Sequence, residues 1–127
     1  VKYLTAEQVL FIHSRIIDET GGMHGIRDLG FLESAVSRPR ATFRNKDLYP
    51  TSFHKAAALM ESLVKNHPFI DGNKRTAITS AAIFLQMNGY LLKASHNELV
   101  DFAVLVAAGQ ADFNYEVAWF KKNTQSR

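Results

Sequence analysis

The side chains best suited to chemistry lie together in one stretch, His67-Pro68-Phe69-Ile70-Asp71-Gly72-Asn73-Lys74-Arg75-Thr76-Ala77. It holds an imidazole, a carboxylate, a carboxamide and a pair of fixed cations. An apolar run at helical spacing ends near Asn66 and another begins near Thr76; Pro68 and Gly72, poor helix-interior residues, lie between them. The stretch therefore reads as a reaction centre on a loop that opens a helix. Lys74 and Arg75 occupy the first turn, where the positive end of the helix dipole makes a cation cost about 0.3–1 kcal/mol. A docked anion would account for that placement. Unpaired amides of Gly72, Asn73 and Lys74, together with the helix field, would form a phosphate cradle, and Gly72 would let the backbone approach it closely. Plainer roles stand beside this one: Asp71 as an N-cap, His67 as a residue favoured at a helix C-terminus, Lys74 and Arg75 in water.

The elements around this stretch are legible from caps and periodicity. Thr5-Ala6-Glu7-Gln8 is a capping box opening a helix whose face is Val9, Ile12 and Ile16 and whose end is Gly21-Gly22. His13, inside it, reads as a packing or surface residue and not a ligand. Met23 to Arg27 form a loop. Asp28 caps a short helix, marked by Leu32, Ala35 and Val36, that ends before Pro39. Residues 40–50 are polar and irregular, with Arg40, Arg44 and Lys46; they form either a connector or a flap. Thr51 or Ser52 then caps a strong helix. Phe53, Ala56, Ala57, Met60, Leu63 and Val64 make its buried stripe, Lys55, Glu61 and Lys65 its other face, and His67 follows its end.

The helix that follows runs from about Gly72 to Asn88-Gly89. Ile78, Ala81, Ala82, Phe84 and Leu85 leave it apolar almost all round, which predicts a central, buried element. Ser95-His96-Asn97-Glu98 is a second capping box, and Leu99, Phe102, Ala103 and Val106 continue it as far as Gly109. A last helix around Asn114 to Lys122 carries Val117 and Phe120, and the polar tail to Arg127 is expected to fray. A short pairing near Tyr90 to Leu92 is the only strand signal. The expectation is an all-α chain, a compact bundle of about six helices, folding as a single domain over residues 1–127.

Composition narrows the class. There is no cysteine, which excludes disulfides and Cys-type zinc sites and fits a reducing cytoplasm. No charged-then-apolar leader and no apolar run of about 18 residues is present, so no membrane partner is expected. The net charge of +3 favours acidic or phosphorylated partners without arguing for nucleic acid. The chain has no G-x-x-x-x-G-K-[ST], no G-x-G-x-x-G, no H-E-x-x-H and no serine elbow. Any nucleotide phosphate would therefore be handled by the stretch from His67 to Arg75.

That stretch, HPFIDGNKRTA, resembles the signature of the Fic/Doc family, H-x-F-x-[DE]-G-N with a basic continuation. The length, the helical pattern and Gly21-Gly22-Met23-His24-Gly25-Ile26-Arg27-Asp28 extend the likeness to the Doc branch. Family members that transfer AMP carry glycine after the asparagine and a second arginine three residues beyond the first; here Lys74 and Ile78 stand in those places, and N-K-R-T-A is the Doc pattern.

The resemblance implies a toxin that transfers the γ-phosphoryl of ATP to a threonine of elongation factor Tu and so arrests translation. It implies His67 as general base, Asp71 as the Mg²⁺ ligand, and Gly72, Asn73, Lys74 and Arg75 as the phosphate-binding set. A Phd-like antitoxin is the implied partner. No serine or threonine has a glutamate four residues on, so the restraining [ST]-x-x-x-E-[GN] helix of many Fic enzymes would have to come from another chain. AMP transfer by the same loop is the nearest alternative. A non-catalytic binding module and an RNA-cleaving toxin are further ones; the last lacks an aromatic and basic stacking platform.

Overall fold

In the computed structural model, which describes residues 1–127, helices begin where a short polar side chain can take over a free backbone N–H. Thr5 accepts from the Gln8 N–H, and the Gln8 side chain accepts from the Thr5 N–H, at the start of α1 (Ala6–Thr20). Asp28 caps α2 (Leu29–Ser37) and Thr51 caps α3 (Ser52–Asn66). The exception is α4 (Asn73–Met87), which starts on Gly72 with no side-chain cap. Ser95 and Glu98 form the second capping box at α5 (His96–Ala107), and Asp112 caps α6 (Phe113–Lys122). The all-α bundle of six helices read from the sequence is what forms.

Helices α3 and α4 make the largest contact in the molecule. Ala56, Ala57, Met60, Leu63 and Val64 of α3 and Ala77, Ala81, Phe84 and Leu85 of α4 are buried in one cluster with Val9, Leu32, Phe102 and Phe120. The alanines let the two axes approach, and each large apolar side chain removed from water contributes about 1.5–3 kcal/mol. The connection between this pair of buried helices is the motif loop, so the candidate site is hung from the best-packed part of the fold. No helix is long and apolar enough to cross a membrane.

The structure departs from the sequence reading in several places. Residues 40–50 contain a hairpin, β1 (Thr42–Phe43) paired antiparallel with β2 (Lys46–Asp47). Its turn residues Arg44 and Asn45 both have positive φ, the geometry that matches strand twist in a two-residue turn. The tail is not frayed. Tyr90–Leu92 forms β3 and Thr124–Ser126 forms β4, in antiparallel register from Tyr90 opposite Ser126 to Leu92 opposite Thr124.

The polar face of α3 is only partly solvated: Lys65 is exposed, but Lys55 and Glu61 are not. Lys55 is 1% exposed; its ammonium donates to the Pro39 carbonyl at 3.2 Å and pairs with Asp47 at 3.3 Å, which ties the hairpin to the core. Glu61 takes Arg38 at 3.0 Å, and Arg38 also donates to the Tyr49 hydroxyl and to Ser62. Against Glu61 lies Glu116 of α6, fully buried. Polar residues on the inner side were not readable from periodicity because their partners come from other segments.

Candidate active site

His67 ends α3 in the left-handed region, with φ 49° and ψ 59°, a conformation uncommon outside glycine. Arg27 holds it there. The guanidinium donates from Nε to the His67 carbonyl at 2.6 Å and from Nη2 to the Asn66 carbonyl at 2.7 Å, so it satisfies the open end of α3. The imidazole is exposed. Its Nδ1 lies 3.4 Å from the Asn73 amide nitrogen, and its Nε2 has no protein partner.

Asn73 closes the loop. Its Oδ1 accepts the Phe69 N–H at 3.0 Å and its Nδ2 donates to the Phe69 carbonyl at 2.9 Å. The carboxamide is thus turned inward, and the group that Asn73 keeps free for an anion is its backbone N–H. A second segment braces the loop from outside. Ile26 and Phe69 form an antiparallel bridge, Ile70 N–H donates to the Gly25 carbonyl, and the N–H groups of Arg27 and Asp28 both donate to the Pro68 carbonyl.

Asp71 is not the N-cap; Gly72 is, with φ 76°. The Asp71 carboxylate accepts the Gly72 N–H at 2.8 Å and the Met23 N–H at 3.1 Å. Those donors, with Arg75 adding to them, hold its pKa below the ordinary aspartate value of 3.8. The set of unpaired amides therefore differs by one residue from the Gly72, Asn73 and Lys74 expected for a phosphate cradle. The Gly72 amide is already taken, and the unpaired N–H groups at the helix start are those of Asn73, Lys74 and Arg75. Close packing makes glycine necessary nearby: a Cβ on Gly22, at φ +116°, would stand 2.6 Å from Asp71 Oδ2.

The two cations differ. Arg75 donates to the Thr20 hydroxyl and to the Gly21 carbonyl at 3.1 Å, and its guanidinium lies 3.9 Å from Asp71. Helix α1 has no basic residue in its own last turn, so Arg75 supplies the cation that a helix C-terminus favours. This contact accounts for part of the charge that looked misplaced in the sequence. Lys74 is exposed and has no hydrogen-bond or ion-pair partner. It borders, with Arg75, a cavity of about 100 Å³ lined by Ile78, Val100, Ala103 and Val104.

His13 proves more than packing. It is 1% exposed, its Nε2–H donates to the Asp71 carbonyl at 2.8 Å, and its ring stacks on Phe69 at 3.9 Å. Burial lowers its pKa from 6.5, the Asp71 carbonyl partly opposing, and so favours the neutral ring. Sequence reasoning missed His13 and Arg27 as parts of the site. No spacing rule connects them to a loop some 40–58 residues away; Arg27 at least lies in the Gly21–Asp28 segment that carried the family likeness.

No group of three or more His, Cys, Asp or Glu side chains is assembled for a metal. A lone anionic aspartate, 46% exposed, fits a cation such as Mg²⁺, which is often held by one or two carboxylates with the rest of its shell from phosphate oxygens and water. Chemically, the site sets an exposed imidazole and a carboxylate beside unpaired amides and a free ammonium. That is a setting for stabilising negative charge during group transfer.

The family model described as "Fic/DOC family" matches residues 3–85. The chain is 47% identical over 93 residues to "Toxin Doc" of Mycolicibacterium smegmatis, covering 73% of this chain and 69% of that protein. It is 31% identical over 110 residues to "Protein kinase doc" of Escherichia phage P1, covering 87% and 86%. The matched region runs from α1 through the motif loop into α4, and the chain belongs to the Fic/DOC family, on its Doc branch.

Proposed function

We propose that this chain is the toxin of a toxin–antitoxin pair and a protein kinase that moves the γ-phosphoryl of ATP to a threonine hydroxyl, with elongation factor Tu as target. The observation that carries the reading is the motif loop: the solvent-facing His67 imidazole is held across a closed turn from the uncapped start of α4. The relatives' names, one a toxin and one a protein kinase, support the same reading. Phosphoryl transfer spreads negative charge over oxygens and demands mainly positioning and cations. The amides of Asn73, Lys74 and Arg75 and the Lys74 ammonium would supply them. His67 would take the hydroxyl proton at Nε2. That tautomer carries its hydrogen on Nδ1, so the ring gives up the 3.4 Å contact with Asn73. Asp71 would hold Mg²⁺, which when bound neutralises phosphate charge.

A Phd-like antitoxin is the proposed partner, because the M. smegmatis relative is named a toxin and this chain has no restraining glutamate motif of its own. The test is transfer to purified elongation factor Tu from ATP labelled at the γ or at the α phosphorus. Label from the γ position alone is expected, and it should vanish with His67→Ala. Label from the α position alone would overturn the kinase reading in favour of AMP transfer.

A further inference from the structure

Gly72, at φ 76°, lacks the side chain that would restrict rotation of the Asp71–Gly72 peptide. In the observed state its carbonyl points toward α1, where buried His13 donates to it at 2.8 Å. The Gly72 N–H, on the opposite edge of the same trans plane, meets Asp71 Oδ1 at 2.8 Å. Turned over, the plane would put the carbonyl oxygen on the edge where the Gly72 N–H now lies, beside the Asp71 carboxylate and at the head of the run of unpaired amides of Asn73, Lys74 and Arg75. The partial negative charge of that oxygen would oppose an incoming phosphate.

We propose that His13 is a positioning residue that locks this peptide with its oxygen away from the anion site. The proposal rests on the phosphate-cradle reading above. The surroundings leave His13 one orientation. Its ring lies parallel to Phe69, with 6° between planes, and Phe69 is itself clasped by Asn73. A Cβ added to Gly72 would come within 3.7 Å of His13 Cδ2 and 3.0 Å of Ile17 Cδ1, so α1 is the floor on which the peptide rests. Remove the donor alone, and a half-buried carbonyl is left without its protein partner. Such groups are paired in native structures, and turning toward solvent is the way this one would find a donor.

The experiment follows backbone amide shifts of the full chain by NMR during titration with magnesium ATP and, as a base-free probe, magnesium pyrophosphate. Only folded-state peaks are read, so loss of stability by itself does not alter the affinity obtained. The wild-type amides of Gly72 to Arg75 are expected to shift. His13→Phe keeps a ring on Phe69 without a donor, and His13→Asn has a donor too short to reach; both should weaken binding about tenfold or more. His13→Gln, which can still donate to the carbonyl, should stay within about threefold of wild type. Wild-type affinity in the Phe and Asn variants would overturn the lock and leave the cradle standing. An equal loss in all three variants would also overturn it, since the ring and not its donor would then matter. Unmoved amides in the wild type would overturn the cradle itself.

Discussion

Replacing Asn73 by alanine would strip the buried Phe69 amide and carbonyl of their partners at once. An orphaned buried backbone group costs about 1–3 kcal/mol, so denaturant unfolding should show a loss in that range or above, and the proposed phosphotransfer should fall alongside it. Lys74 behaves in the opposite way. Its ammonium has no hydrogen-bond or ion-pair partner, and Lys74→Gly should cost folding about 1 kcal/mol, the propensity of glycine in a helix. Nucleotide affinity should fall about tenfold. Turnover and affinity both equal to wild type would contradict the role given to this ammonium. These residues were legible because the motif is contiguous and each residue type has few uses at a helix start. Asn73 shows the limit of that reading: its type and place were evident, but not that its carboxamide faces inward. His13 and Arg27 were invisible as site residues because only the folded chain brings α1 and the 25–28 segment against the loop.

At the scale of elements, α3 and α6 meet across a pair of carboxyls. Burial first, and the neighbouring Glu61 second, push the Glu116 pKa up to about 9 from 4.5. A proton on Glu116 would let it donate toward the neighbouring Glu61; ionised, its buried oxygens have no partner. Glu61 moves the other way, lowered by that hydrogen bond and by Arg38 against its own desolvation. A folded-state pKa raised above the unfolded value means that the native chain binds the extra proton. Stability from Glu116 is therefore full below pH 4.5 and declines as pH rises toward 9. Glu116→Gln keeps the donor and removes the titration. It should raise the melting temperature at pH 8 more than at pH 5 and flatten the slope between them; parallel pH profiles would contradict the assignment. The capping boxes at Thr5 and Ser95 fixed the helix starts on the sequence, because their hydrogen bonds are local. The hairpin strands, Thr42–Phe43 and Lys46–Asp47, are too short to show alternation, and the partners of Lys55 lie outside its own helix.

Over the whole molecule, the packing of α3 against α4 fixes where the loop sits, and the link to α1 fixes how it is charged. The sequence conveyed the first through its apolar stripes. It did not convey the second, because the Arg75 grip on Thr20 and Gly21 spans 54–55 positions of chain. That grip has a thermodynamic consequence. If the Arg75 guanidinium binds phosphate in the proposed function, the end of α1 is an internal rival for it, and nucleotide affinity would be a net figure after the tether has let go. Hydrogen–deuterium exchange should then report opposite signs on one molecule: slower at the amides of Asn73 to Arg75 with magnesium ATP, faster in the last turn of α1. Uniform slowing would mean that Arg75 never leaves its tether, and that catalysis runs on Lys74 as the sole mobile cation of the loop.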